Sequence, residues 1–99
     1  ITIGEQHLNP NGTVHGAVLF ALADTAMGSA AMSVLPEGTY ATSVDLQLRF
    51  VRPASTGELT ATVEVLKQGR HVIHLAGRIH GDDERLVATA EGTFTTFSV

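Results

Sequence analysis

One acid stands inside a long apolar run. From Gly16 to Leu35 almost every residue is apolar or small, and Asp24 is the only acid among them. A carboxylate surrounded by Ala, Leu and Met is costly unless it faces a polar site, which marks Asp24 as a general base or a nucleophile. Eight residues earlier, Gly16 follows His15 where the run begins. In a helix starting there, free N–H groups and the positive end of the dipole favour developing negative charge. Lacking a side chain, Gly16 also lets a reacting carbonyl approach the backbone closely. An amide that holds an oxyanion and an acid that activates water are the two functions that attack on a carbonyl requires.

Helix geometry separates them. Eight residues of helix rise about 12 Å, so Asp24 cannot reach a carbonyl held at Gly16 of its own chain. If both act on one carbonyl they come from different chains with helices side by side, and a symmetric dimer then holds two equivalent sites. Two structural readings stand beside this one: Asp24 as an acid paired with a buried partner, and Gly16 as a close-packing residue. Other chemistries have less support. The chain has no cysteine, which removes thiolate metal sites and a Cys nucleophile. It has no Gly-x-Ser-x-Gly elbow and no Gly-rich phosphate loop. His71 and His74, three apart on a predicted strand, point to opposite faces, and His7 and His80 have no second ligand of the right type nearby, so no metal is expected.

The elements that position these residues follow from punctuation and period. Ile1 to His7 reads as a short edge strand, and Asn9-Pro10-Asn11-Gly12 as a turn. From about His15 to Val34 the Ala-, Leu- and Met-rich composition favours helix, ended by Pro36-Glu37-Gly38. Apolar almost all round, that helix should be enclosed. The period then changes to two. Over Thr42 to Arg52, Val44, Leu46, Leu48 and Phe50 alternate with Asp45, Gln47 and Arg49. Three more strands follow, around Leu59–Val65, Ile73–Ile79 and Leu86–Phe94, with turn signals at hairpin spacing that predict an antiparallel meander. The class is α+β: a curved antiparallel sheet wrapped around one long central helix.

Composition bounds the partners. The chain has 99 residues, 43% hydrophobic and 16% charged, which fits one small domain whose stability alone would be marginal and favours an oligomer. A net charge of −4 argues against nucleic acid as a partner. The Gly16–Leu35 run has the length of a membrane span, but a central acid costs roughly 2.5–3.5 kcal/mol there, so a core helix and no membrane are expected. Ile1–His7 lacks the basic start of a secretory signal, and the absence of cysteine fits a cytoplasmic location.

The ordered set of motifs is more specific. Asn9-Pro10-Asn11-Gly12-Thr13-Val14-His15-Gly16-Ala17-Val18 with Leu22-Ala23-Asp24, then Ser43 to Phe50 with Val51-Arg52-Pro53-Ala54, Gly57-Glu58-Leu59 and Lys67-Gln68-Gly69-Arg70, resembles the hotdog-fold acyl-CoA thioesterases of the phenylacetate-degradation and 4-hydroxybenzoyl-CoA thioesterase kind. The resemblance covers almost the whole chain, residues 1–99, as a single hotdog domain. Ala17 departs from it, standing where many members carry a second Gly. The resemblance implies hydrolysis of an aryl- or medium-chain acyl-CoA to the free acid and CoA, with the Gly16 amide as oxyanion site and Asp24 of the neighbouring subunit as base or nucleophile. It implies that Asn9 and His15 help place the thioester or water, that Ser43 orients water beside Asp24, and that the assembly is a homodimer at minimum and a homotetramer by family expectation. CoA belongs to the substrate, so no separate cofactor is implied. Its phosphates need basic groups: Arg52 at the strand corner, and Lys67 and Arg70 at the turn, with Gly69 between them as a further substrate-binding residue. Two other classes stay open, a hotdog dehydratase or hydratase and a non-catalytic acyl-CoA-binding protein.

Overall fold

A computed structural model of the protein describes residues 1–98. A 3-10 turn, Glu5–His7, precedes helix α1 (Gly16–Ser33), and four strands follow: β1 (Thr39–Phe50), β2 (Thr60–Gln68), β3 (Val72–His80) and β4 (Leu86–Ser98). All pairings are antiparallel, and the sheet order is β1-β4-β3-β2. The expected meander therefore holds for β2, β3 and β4 only. Residues 51–59 between β1 and β2 are too long and too Pro-broken for a hairpin, and they carry the chain to the opposite edge of the sheet.

Helix α1 lies across the sheet and touches all four strands. Its buried residues are Leu19, Ala23, Met27 and Ala31, four apart and hence one stripe. Met27 is the centre of the contact, fully buried over the strand glycines Gly77 and Gly92. A Cβ on Gly92 would lie 2.7 Å from the Met27 sulfur, so the absent side chain there makes the groove that admits the helix. Ile73, Leu75, Ile79, Val87, Ala88, Ala90 and Phe94 complete the core from β3 and β4. Met27→Ala should cost about 2–5 kcal/mol, because the residue is fully buried between helix and sheet. A urea midpoint measured on wild type and variant checks this.

Three expectations need correction. The N-terminal segment is not an edge strand: Thr2 makes a single bridge to Glu58, after which the backbone turns, with the Gly4 amide donating to Nδ1 of His7 (2.8 Å). The helix is not enclosed within one chain. Only its 19-23-27-31 stripe is fully buried, while Phe20 (43%) and Met32 (38%) remain exposed. By length and composition α1 could cross a membrane, yet here it packs on the sheet as a core helix. Finally, Val44 is not an inward residue. The β1–β4 register slips between Ser43 and Asp45, leaving Val44 in a β-bulge and 65% exposed.

Candidate active site

The approach to the helix is built by the Asn9–Thr13 turn. The Asn9 carboxamide oxygen accepts from the amides of Asn11 (3.0 Å) and Thr13 (3.1 Å), and its Nδ2 donates to the Thr13 hydroxyl (3.0 Å). Gly12 takes φ +79°, a backbone angle that favours glycine. Both ends of the Asn9 amide are thus engaged inside its own turn, which fixes how the chain enters α1. Val14 then donates to the Ala54 carbonyl (2.8 Å), and His15 to that of His7 (2.9 Å). This ties the helix start to the Pro53-Ala54 corner.

His15 is the N-cap residue, with extended ψ of 140° and no side-chain cap; its imidazole is exposed. The first intrahelical donors are Val18 (3.0 Å) and Leu19 (3.4 Å), both to the His15 carbonyl. The amides of Gly16 and Ala17 lie ahead of that turn, at an exposed helix N-terminus. A negative oxygen arriving there meets free donors and the positive end of the dipole.

Asp24 lies two turns further on and is half-buried. Gly16, Phe20, Asp24 and Gly28 are spaced four apart and form a second stripe, about 100° around the helix from the buried one. This stripe faces the β1 side of the sheet. A Cβ on Gly16 would sit 3.1 Å from the Phe50 ring, and one on Gly28 3.9 Å from that of Phe94. Ser43 pairs with Phe94 across β1 and β4, so the bulge at Val44 turns Ser43 toward the helix, near the level of Gly28 and one turn beyond Asp24. Gly16 and Asp24 thus share one helix face, and Ser43 shares the strand face of Phe94. The rise of about 12 Å between Gly16 and Asp24 stands. Concavities of the single chain lie on the outer sheet face, around Asp45, His74 and Glu91, and near the strand ends; neither Gly16 nor Asp24 lines any of these.

The basic residues are not brought together within one chain. Arg52 follows β1, its amide donating to the Val87 carbonyl (3.1 Å). Lys67, Gly69 and Arg70 belong to the β2–β3 connection at the other end of the sheet, where Gly69 donates to the Val72 carbonyl (2.8 Å). His71, beside that connection, is level with Thr96 and Ala41. From Ala41 to Arg52 a strand rises roughly 35 Å. The predicted set therefore forms no single cluster within one chain. Among the described residues, no three of His, Asp and Glu form a group able to hold a metal ion. The residue that sequence reasoning passed over is Phe50, placed only as one member of an alternating strand. Its register opposite Gly16 is a tertiary fact with no local signal.

The thioesterase superfamily profile matches residues 11–88. A candidate esterase of Pseudomonas aeruginosa is 40% identical over 96 residues, covering 95% of this chain and 70% of the relative. Escherichia coli acyl-coenzyme A thioesterase PaaI is 34% identical over 93 residues, covering 93% and 64%. Mouse acyl-coenzyme A thioesterase 13 is 35% identical over 69 residues, covering 69% of this chain and only 49% of the mouse protein. Among solved structures, the BH2602 protein of Bacillus halodurans, determined with CoA, superposes with a TM-score of 0.93 at 33% identity over 98% of this chain and 68% of its own. The chain belongs to the thioesterase superfamily, in the hotdog fold, and its class is that of thioester hydrolases.

Proposed function

We propose that the protein hydrolyses an acyl-CoA thioester to the free acid and CoA at a site shared between two copies. The observation that carries this reading is the single seam on which Gly16 and Asp24 lie, on one face of α1 yet two turns apart. The amide of Gly16 holds the thioester oxygen, and Asp24 of the partner subunit takes the proton of a water that attacks the carbonyl carbon. The tetrahedral oxyanion then collapses, the C–S bond breaks, and the CoA sulfur leaves with the proton. Direct attack by Asp24, through an anhydride that water later opens, satisfies the same geometry. In this reading Ser43 orients the water and His15 borders the thioester. Asn9 acts through the turn it holds. No cofactor beyond the substrate's own CoA is needed for these steps.

The sheet suggests how the second copy docks. β1 is a free edge on the side of the Gly16–Gly28 stripe, with Val44, Phe50, Val51 and nearby Phe20 exposed. Exposed apolar side chains beside unpaired strand amides make a surface that a second β1 covers well. An antiparallel pairing lays the helices side by side. Setting Gly16 opposite Asp24 of the partner subunit puts Phe20 on the two-fold axis. It also carries Arg52 of the partner subunit to the Lys67–Arg70 end, joining the basic groups that one chain keeps apart. The relative determined with CoA is consistent with such a ligand. A homodimer is the minimum, and a homotetramer is its doubled form.

The test is release of free thiol from a panel of acyl-CoAs by the purified protein. Turnover with thiol release supports the reading. Binding without thiol release would leave an acyl-CoA-binding protein, and loss of acyl-chain unsaturation with no thiol release a hydratase.

A further inference from the structure

Phe50 is anchored rigidly and yet lies open. Its backbone pairs with Ala88 of β4, which pairs in turn with Ile79 of β3, and both partners are buried. The two following amides, Val51 (2.8 Å) and Arg52 (3.1 Å), both donate to the Val87 carbonyl. The strand end therefore cannot swing away without breaking the sheet. The ring tip nevertheless points at Gly16: three of its carbons would lie 3.1, 3.5 and 3.7 Å from a Cβ placed there. The side of Gly16 that lacks a side chain is thus filled by an aromatic ring. A group bound at the Gly16 amide therefore has the Phe50 ring as a neighbour. Phe50 is 59% exposed in the single chain, and the part of its ring that a second β1 leaves uncovered is an apolar surface next to the amide. Phe20, one turn along the same stripe, presents a second such ring, and neither carries a charge.

We propose that Phe50 sets the acyl selectivity of the site: its ring is the wall against which an uncharged, apolar acyl group of several carbons rests. The proposal builds on the thioesterase reading above. An acetyl group is too short to cover the ring, whereas a hexanoyl or benzoyl group buries part of it. Removing the ring takes away apolar contact from the longer acyl groups selectively.

The experiment measures thiol release from acetyl-, hexanoyl- and benzoyl-CoA for wild type, Phe50→Ala and Phe50→Leu, with a melting curve for each. The expected result is that kcat/KM for the longer substrates relative to acetyl-CoA falls about tenfold or more in Phe50→Ala, chiefly through KM, and partly recovers in Phe50→Leu. A side chain that only supports the fold would lower all three substrates by one common factor, and that outcome overturns the proposal. If Phe50→Ala fails to fold, Phe50→Leu and Phe50→Trp decide: a changed ratio supports the role, and an unchanged ratio refutes it. A wild type that releases thiol from none of the three would instead remove the thioesterase reading itself.

Discussion

Asp24→Asn is expected to lower kcat for thioester hydrolysis by about 10²–10⁴, the range associated with loss of a positioned base. The substitution keeps the shape of the side chain and removes its basicity. Asp24 is half-buried, and no ion pair holds it among the described residues. The folded chain therefore has little to lose, and the melting temperature should stay within a few degrees of wild type. Thiol release and thermal melting on the same preparation separate the two effects. Near-normal turnover in Asp24→Ala would end the assignment of this residue. Mass spectrometry of the enzyme quenched during turnover addresses the route: an acyl group trapped on Asp24 means direct attack, and its absence favours activated water.

The second large effect belongs to the backbone. Gly16→Pro removes the N–H proposed to hold the oxyanion while leaving the helix able to form. Pro is well accepted at the first helical position, where its φ is already suitable and its missing donor has no intrahelical acceptor. The residue before a proline must be extended, and His15 is, with φ −57° and ψ 140°. Losing one oxyanion donor costs about 10²–10³ in kcat. The Phe50 ring tip must yield slightly to the new Cβ, so circular dichroism should accompany the kinetics. The two variants also test sharing of the site. Gly16→Pro mixed with Asp24→Asn, then unfolded and refolded together, forms hybrid dimers in which one site regains an intact Gly16 and an intact Asp24. Recovery of roughly a quarter of wild-type activity follows from random pairing in a two-fold dimer. A mixture no more active than its components would place both residues in one chain's site.

Local signals carried much of the architecture. Helix α1 was bounded by sequence at His15 and Val34 and runs from Gly16 to Ser33, because His15-Gly16 and Pro36-Glu37-Gly38 punctuate it unmistakably. Strands were legible wherever period two persisted. Strand order was not, since pairing β1 with β4 is a contact between residues some fifty positions apart that no local pattern encodes. The bulge at Val44 was equally silent: a valine fits an inward position as well as a bulged one, so the alternation seemed unbroken. For the site, residue types and the spacing of Gly16 and Asp24 sufficed to raise the reading of a site shared between two chains. The membership of Phe20 in the same stripe followed from spacing alone and could have been read. The Gly16–Phe50 contact and the separation of Arg52 from Lys67 and Arg70 depend on how the sheet is laid under the helix.

The free edge of β1 has a kinetic meaning as well. If the catalyst is assembled along that edge, as proposed, it obeys mass action, and its specific activity is not a fixed property of the polypeptide. Well above the dissociation constant of the pair, rate is proportional to protein. Well below it, rate follows the square of protein concentration, and a twofold dilution removes three-quarters of the activity. A dilution series at constant substrate, followed by log rate against log protein, should therefore bend from slope one to slope two. The bend marks the concentration at which two chains cease to find each other.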